Sequence, residues 1–290
     1  MELNGIITKG VGGFYYVKTA DGAEYECRAR GLFRKEHITP MIGDRVAIEK
    51  SGGGKGYLIK IFERSSSLIR PPVANIDTMI LVAAAAEPEP NLFLADKMLV
   101  NAEIGGITPV ICINKSDLAS RSDIEEIYGL AGYKVIAASA YTGEGLDELK
   151  SIIKGRVTAF AGLSGVGKSS LLGIITNEKL ETGSVSEKIG RGRHTTRHVE
   201  LFELPDGGYV LDTPGFGSLE VEGTDAGELW KYFPEMRNAA GECRFRGCSH
   251  INEPGCAVKA LLDEGKMARS RYESYTELYE KLKQKKSWEK

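Results

Sequence analysis

The stretch "VTAFAGLSGVGKSSLL", Val157 to Leu172, constrains the fold of this chain more than any other. A short apolar run leads straight into Gly162-Leu163-Ser164-Gly165-Val166-Gly167-Lys168-Ser169, followed by Ser170 and two leucines. The G-x-x-x-x-G-K-S spacing belongs to a loop that ends a strand, opens a helix and wraps phosphate oxygens with backbone N–H groups. Its glycines permit the close approach of the backbone, Lys168 reaches the β- and γ-phosphates, and Ser169 is placed to ligate Mg²⁺. Such a loop usually follows the first strand of its domain. Here it starts beyond the middle of 290 residues, so the fold it belongs to must be sought on both sides.

Upstream, apolar runs alternate with amphipathic segments. The pattern predicts strands at 78–85, 109–113, 134–137 and 157–161, and helices at 91–104, 122–131 and 146–154. This rhythm is that of a doubly wound α/β domain with a mostly parallel sheet. Downstream, "HVELFEL" and "GYVLDTPG" flank Pro205-Asp206-Gly207 and read as one hairpin. The first 70 residues differ: "EYECRAR", "DRVAIEK" and "GYLIKIF" alternate apolar and polar residues between Gly-rich turns. Val46 with Ile48, and Ile59 with Ile61, are expected on the buried face, and the whole suits a five-stranded OB-type barrel. "RSSSLIRPP" reads as a linker. The expected domains are therefore 1–70, an OB barrel; 71–223, a P-loop nucleotide domain; and 224–290, a helical unit around a cysteine cluster.

Four more motifs carry chemistry. Asn114-Lys115-Ser116-Asp117 follows the apolar strand "PVICI". Asp117 can accept from both N1–H and N2–H₂ of guanine, a donor pair adenine lacks, so a mispaired base leaves a polar group unpartnered. Asn114 can bond the base and the neighbouring loop, and the stem of Lys115 can cover the ring. At the next strand end Ser139 and Ala140 are small enough to let a backbone N–H approach guanine O6. Asp212, ending "GYVLD", can hold the Mg²⁺ water shell, and Gly215 offers a backbone N–H to a γ-phosphate. Between them "EKIGRGRHTTRHVEL" is a Gly-rich, charged loop of the kind ordered by a third phosphate. Thr195 or Thr196 would close on Mg²⁺ there, with Thr196 the expected ligand. Phe216 stands where many GTPases carry a water-orienting Gln, and His194 is the candidate to supply the missing function. Finally, Cys243-x₄-Cys248-x-His250-x₅-Cys256 offers three thiolates and one imidazole, a closed and hence structural Zn²⁺ site. Cys27 and Cys112 sit in strand patterns and are expected in the core.

Charge is split unevenly. Residues 1–70 hold twelve Lys/Arg against eight Asp/Glu, residues 237–290 hold the same, and the middle is net acidic. Basic ends suit a polyanionic partner such as RNA. Clustered cysteines suit metal in a reducing compartment. No apolar run is long enough to span a bilayer and no signal pattern opens the chain. The expectation is a cytoplasmic, membrane-free, monomeric protein.

The motif order is the remaining clue. N-K-S-D and S-A precede the phosphate loop, the threonines and D-T-P-G, so the usual cycle is intact but cut elsewhere, which domains with adjacent surface termini tolerate. Permuted order, an N-terminal barrel, "GLSGVGKSS", "GRGRHTT", "DTPGF" and the zinc spacing together resemble the ribosome small subunit-dependent GTPase A (RsgA) family over nearly the whole chain. The resemblance implies a GTPase that binds the small (30S) ribosomal subunit late in its maturation and hydrolyses GTP to GDP and phosphate under stimulation by it. It also implies contacts from barrel and zinc unit to 16S rRNA. Where that family has a third Thr this chain has Arg197. Competing readings are an RNA-binding module holding nucleotide without hydrolysis, and a P-loop kinase or ATPase.

Overall fold

A computed structural model of the chain describes residues 2–35, 37–69, 71–176, 199–212 and 220–288. Strands β1 (Glu2–Val11), β2 (Phe14–Thr19), β3 (Glu24–Ala29), β4 (Arg45–Gly52) and β5 (Lys55–Ile61) close into a barrel in the order β1-β2-β3-β5-β4. A short helix, α1 (Gly31–Lys35), lies between β3 and β4. Ile7, Val17, Cys27, Val46, Ile48 and Leu58 fill the barrel, as strict alternation requires. One alternation fails. Register slips between Ala47↔Lys60 and Ile48↔Leu58, so Ile59 is bulged out of the ladder. Leu58 then takes the inward place expected of Ile59, because a bulge resets the face on which side chains fall.

The segment expected as a linker is structured. β6 (Ser67–Leu68) pairs with β7 (Val73–Ala74), crossing the boundary drawn at residue 70. Ser66 Oγ donates to Ile76 O at 2.6 Å, and Arg64 is bonded through Nε and Nη2 to the buried carboxylate of Asp44. Leu68 and Val73 join the core of the neighbouring domain. Serine and proline content marked a linker; hydrogen bonding of those same serines ties the segment down.

The second sheet runs β10 (Lys134–Ala137), β9 (Thr108–Asn114), β8 (Thr78–Ala84), β11 (Val157–Ala161), β13 (Tyr209–Asp212), β12 (Phe202–Glu203). Its first five strands are parallel and β12 is antiparallel to β13. β8 is apolar from Met79 to Ala84 because both its faces are covered. Met79 and Leu81 pack with Met98 and Leu99 of α2 (Leu92–Ile104) and with Ile124 of α3 (Ser122–Leu130). Ile80 and Val82 pack with Leu149 of α4 (Leu146–Ile153) and Leu171 of α5 (Lys168–Ile175). Cys112 is buried in this core and Cys27 in the barrel. Asn91 caps α2, its side chain accepting from Leu94 N at 2.9 Å.

The C-terminal unit comprises a 3₁₀ helix (Ala226–Tyr232), α6 (Pro234–Arg237), α7 (Ala257–Asp263) and the long α8 (Arg269–Trp288). It shares an apolar cluster with Val100 of α2. A buried cation fixes the same junction. Arg271 of α8, 0% exposed, donates to Asp96 Oδ1 on α2 at 2.8 Å and, through two nitrogens, to Glu235. The rings of Phe233, Tyr133 and Tyr128 surround it. Burial opposes its charge, yet Asp96 and Glu235 outweigh burial and raise its pKa well above the ordinary value. On the other side the barrel meets the sheet edge. Lys9 bridges Glu200, Leu201 N donates to Thr8 O, and Lys18 is bonded to Glu203. Among the described residues, no helix is long and apolar enough to cross a membrane.

Candidate nucleotide-binding site and metal centre

Parallel strands put the ends of β8, β9, β10, β11 and β13 along one edge of the sheet, and the loops after β9, β10 and β11 meet there. Gly162 leaves β11 at φ +138°, where a Cβ would sit 2.2 Å from Val82 O. Gly167 has φ +94°, and a Cβ there would fall 2.1 Å from Asn114 Nδ2. Only glycine fits at these two points. Between them Ser164 and Gly165 are exposed, while Val166 is buried under the loop. Lys168 folds back across the loop, its Nζ donating to Gly162 O at 2.9 Å and Leu163 O at 2.8 Å. Ser169 and Ser170 occupy the first turn of α5, whose N-terminus faces the loop.

The guanine-type motif is bound to this loop. Asn114 is 1% exposed; its Nδ2 donates to Val166 O at 2.8 Å and its Oδ1 accepts from Ala140 N at 3.2 Å. One amide thus joins the ends of β9, β10 and β11. Lys115, at φ +65°, donates through Nζ to Glu87 O and Gly165 O. Asp117 accepts from Ser139 Oγ at 2.5 Å. That hydroxyl in turn accepts from Tyr141 N and Thr142 N, which fixes the direction of its proton. Ser116 Oγ donates to Glu144 Oε2 at 2.9 Å. Glu144 also accepts the Ser139 N–H through its carbonyl, a contribution the sequence motifs did not signal. The arrangement presents a carboxylate just beyond the end of β9 and a loop of glycines two strands away, at the end of β11.

Asp212 lies at the end of β13, in register with Phe160 of β11 and so beside the loop's root. Its side chain, with His194, Thr195, Thr196, Arg197, Gly215 and Phe216, lies outside the described residues.

The second constellation is the cysteine cluster. The ligand atoms of Cys243, Cys248, His250 and Cys256 all lie within 4.8 Å of one another. His250 Nδ1 stands 3.5 Å from Cys243 Sγ and 3.4 Å from Cys256 Sγ. Tetrahedral Zn²⁺, with bonds of about 2.3 Å to sulfur and about 2.0 Å to nitrogen, sets nitrogen and sulfur about 3.5 Å apart. The cluster fits a zinc site. Burial lowers the His250 pKa, which favours the neutral, ligating imidazole. Burial, with Cys256 and Cys243 alongside, pushes the Cys248 thiol up to about 12, so a cation is needed to favour its thiolate.

Residues outside the motif hold the ligand loop. Glu253 accepts from the backbone N–H groups of Ser249, Ile251 and Asn252. Burial opposes its charge, but the Ser249 and Ile251 bonds outweigh burial and hold its carboxyl at about 2. Tyr272 donates to His250 O and Tyr275 to Ser249 O, each at 2.8 Å. Nothing in the spacing of the cysteines marks these three. Phe245, within the loop, is 45% exposed beside Arg244, so it is not a core residue.

Comparison with known proteins agrees with this geometry. Residues 61–222 match the model of the RsgA GTPase family and residues 4–58 that of the RsgA N-terminal domain. Over 288 residues the chain is 50% identical to the small ribosomal subunit biogenesis GTPase RsgA of Caldanaerobacter subterraneus subsp. tengcongensis, covering 98% of this chain and 97% of that one. The protein of the same name from Bacillus anthracis is 44% identical over 289 residues, covering 97% and 98%. Among solved structures, YjeQ from Thermotoga maritima superposes with TM-score 0.82 at 35% identity, covering 97% of this chain and 99% of that one. YloQ, described as a circularly permuted GTPase, superposes with TM-score 0.81 at 39% identity, covering 98% and 96%. Permuted sheet, glycine loop and Asn114 junction therefore have a common explanation: the chain belongs to the RsgA GTPase family and is a hydrolase acting on GTP.

Proposed function

We propose that this chain binds the small ribosomal subunit, acts late in its maturation, and hydrolyses GTP to GDP and phosphate when the subunit stimulates it. The observation that carries the reading is the junction at Asn114, which couples a guanine-type carboxylate motif to a phosphate loop in one permuted sheet. The names of the relatives supply the biological setting.

In this reading the backbone of Gly162–Ser169 wraps the phosphates and Lys168 exchanges its two carbonyl partners for β- and γ-oxygens. Asp117, steered by Ser139, accepts from the base, and Ala140 N–H turns from Asn114 toward O6. Ser116 packs beside them and the stem of Lys115 covers the base. Ser169, Thr196 and Asp212 would hold Mg²⁺, which neutralises developing phosphate charge. Gly215 meets the γ-phosphate and His194 orients water. One structural Zn²⁺ is held by Cys243, Cys248, His250 and Cys256. The units 1–70 and 224–290 touch 16S rRNA, and the protein works as a cytoplasmic monomer.

Phosphate release should rise many-fold when purified small subunits are added to the full-length protein with GTP. An unchanged rate in a protein that binds GTP would leave a nucleotide-holding RNA-binding module as the better description.

A further inference from the structure

Ser116 and Asp117 are neighbours in the chain, and both reach the turn that follows β10. Asp117 Oδ1 accepts from Ser139 Oγ at 2.5 Å. Ser116 Oγ donates to Glu144 Oε2 at 2.9 Å. Ser139 and Glu144 are themselves joined, since Ser139 N donates to Glu144 O at 3.0 Å. A ring of contacts therefore closes: Asp117 to Ser139, Ser139 to Glu144, Glu144 to Ser116, and back to Asp117 along the backbone. Ser116 N, donating to Ala138 O at 3.1 Å, lays the same segment against the end of β10.

The place of Glu144 is set independently of its side chain. Gly143 N donates to Ser139 O at 2.9 Å, and Leu149 N donates to Gly145 O at 3.1 Å. Leu146 and Leu149 of α4, just beyond, are buried in the core with Ile80 and Val82 of β8. The backbone at residue 144 is thus fixed by a strand end on one side and a packed helix on the other. From there an exposed carboxylate reaches the hydroxyl of the residue preceding Asp117.

That contact matters for geometry more than for stability. Asp117 is itself exposed, and Ser139 holds only one of its oxygens. Accepting from N1–H and N2–H₂ of one base requires the carboxylate to lie in the plane of the ring. A paired contact is less tolerant of a swing than a single one. The swing left open by Ser139 is that of the 116–117 backbone, and the Ser116–Glu144 bond restrains it.

We infer that Glu144 is a positioning residue for guanine recognition, acting through Ser116 on the plane of the Asp117 carboxylate. The inference rests on the guanine-site reading above. Glu144 touches no base in this account; it sharpens the choice that Asp117 makes.

Calorimetric titration of full-length protein with GDP and with inosine diphosphate tests it. Hypoxanthine lacks the 2-amino group, so it asks one hydrogen bond of Asp117 where guanine asks two. Glu144→Ala should weaken GDP about fivefold, the worth of one hydrogen bond, and inosine diphosphate less, so that the preference for guanine narrows. Glu144→Gln, whose amide oxygen still accepts from Ser116, should keep the wild-type preference. Ser116→Ala should narrow it as Glu144→Ala does, and the double variant no further, because both remove the same bond. General loosening of the fold would weaken both nucleotides alike and leave their ratio unmoved. An unchanged ratio in Glu144→Ala, or a ratio in Glu144→Gln as narrow as in Glu144→Ala, would overturn the assignment and leave the site standing. The control is Asp117→Asn, which should prefer xanthosine diphosphate to GDP. Failure of that switch, or of wild type to bind GDP, would remove the guanine site and this inference with it.

Discussion

Asn114 shows how much of a site one side chain can organise. Its amide satisfies a carbonyl 52 residues downstream and an N–H 26 residues downstream. Asn114→Ala would strand both groups in a buried place, at about 1–3 kcal/mol for each unsatisfied partner. Denaturant unfolding should report that loss, and GDP titration should show weakened binding even though no phosphate contact has been removed. Asn114→Asp should do little better, since a carboxylate cannot donate to Val166 O. The chemistry proposed for Asp117 is suggested by sequence alone, because an acceptor pair one residue wide needs only the right neighbour spacing. The junction made by Asn114 was legible only as a possibility, because spacing along a chain says nothing of which carbonyl is opposite. Ser139 is similar: its smallness was readable, its grip on Asp117 was not.

At the scale of elements, sequence reading did best where both faces of a strand are buried. β10 and β11 fall at their expected limits, and β8 and β9 within a residue, since an apolar run bounded by turns has few alternatives. It failed where hydrogen bonds, not hydrophobicity, decide: at the Ile59 bulge and at the β6–β7 ribbon. It was silent on α2 against α8, where Arg271 and Asp96 meet across 175 residues. Asp96→Ala leaves a buried guanidinium with one carboxylate fewer and should cost about 3–5 kcal/mol in denaturant unfolding. Arg271→Met combined with Asp96→Leu and Glu235→Gln should cost less, because no buried charge is then left alone. The zinc loop gives a second test at this scale. Untagged protein should carry about one zinc per chain, and stripping it should loosen the unit packed on α2. Glu253→Gln offers one carbonyl acceptor in place of two carboxylate oxygens, so a chelator should remove the metal faster.

For the whole molecule, the barrel and the C-terminal unit flank an acidic centre from two sides, and each is net basic in sequence. Binding to small subunits should weaken steeply with salt, the logarithm of affinity falling by roughly 0.7–0.9 per phosphate contact for each unit of log salt. Measuring the slope for full-length protein and for charge-reversal variants at Arg28, Lys55, Arg244 and Arg246 distributes those contacts between the two ends. A slope near zero would remove electrostatics from the account. The ion pairs at the barrel junction, Lys9–Glu200 and Lys18–Glu203, are partly exposed. Lys9→Ala should therefore change unfolding free energy by no more than about 1 kcal/mol.

The strand order β10-β9-β8-β11-β13-β12 also has a history written into it. A nascent chain makes β8, β9 and β10 first and leaves one edge of β8 open until β11 arrives. Asp96 emerges early as well, and waits for an arginine near the other end of the chain. Nucleotide capture needs strands from both halves, and the seal on α2 needs the last long helix. Stable occupancy by GTP should therefore wait until β11 and the loop after it have been made.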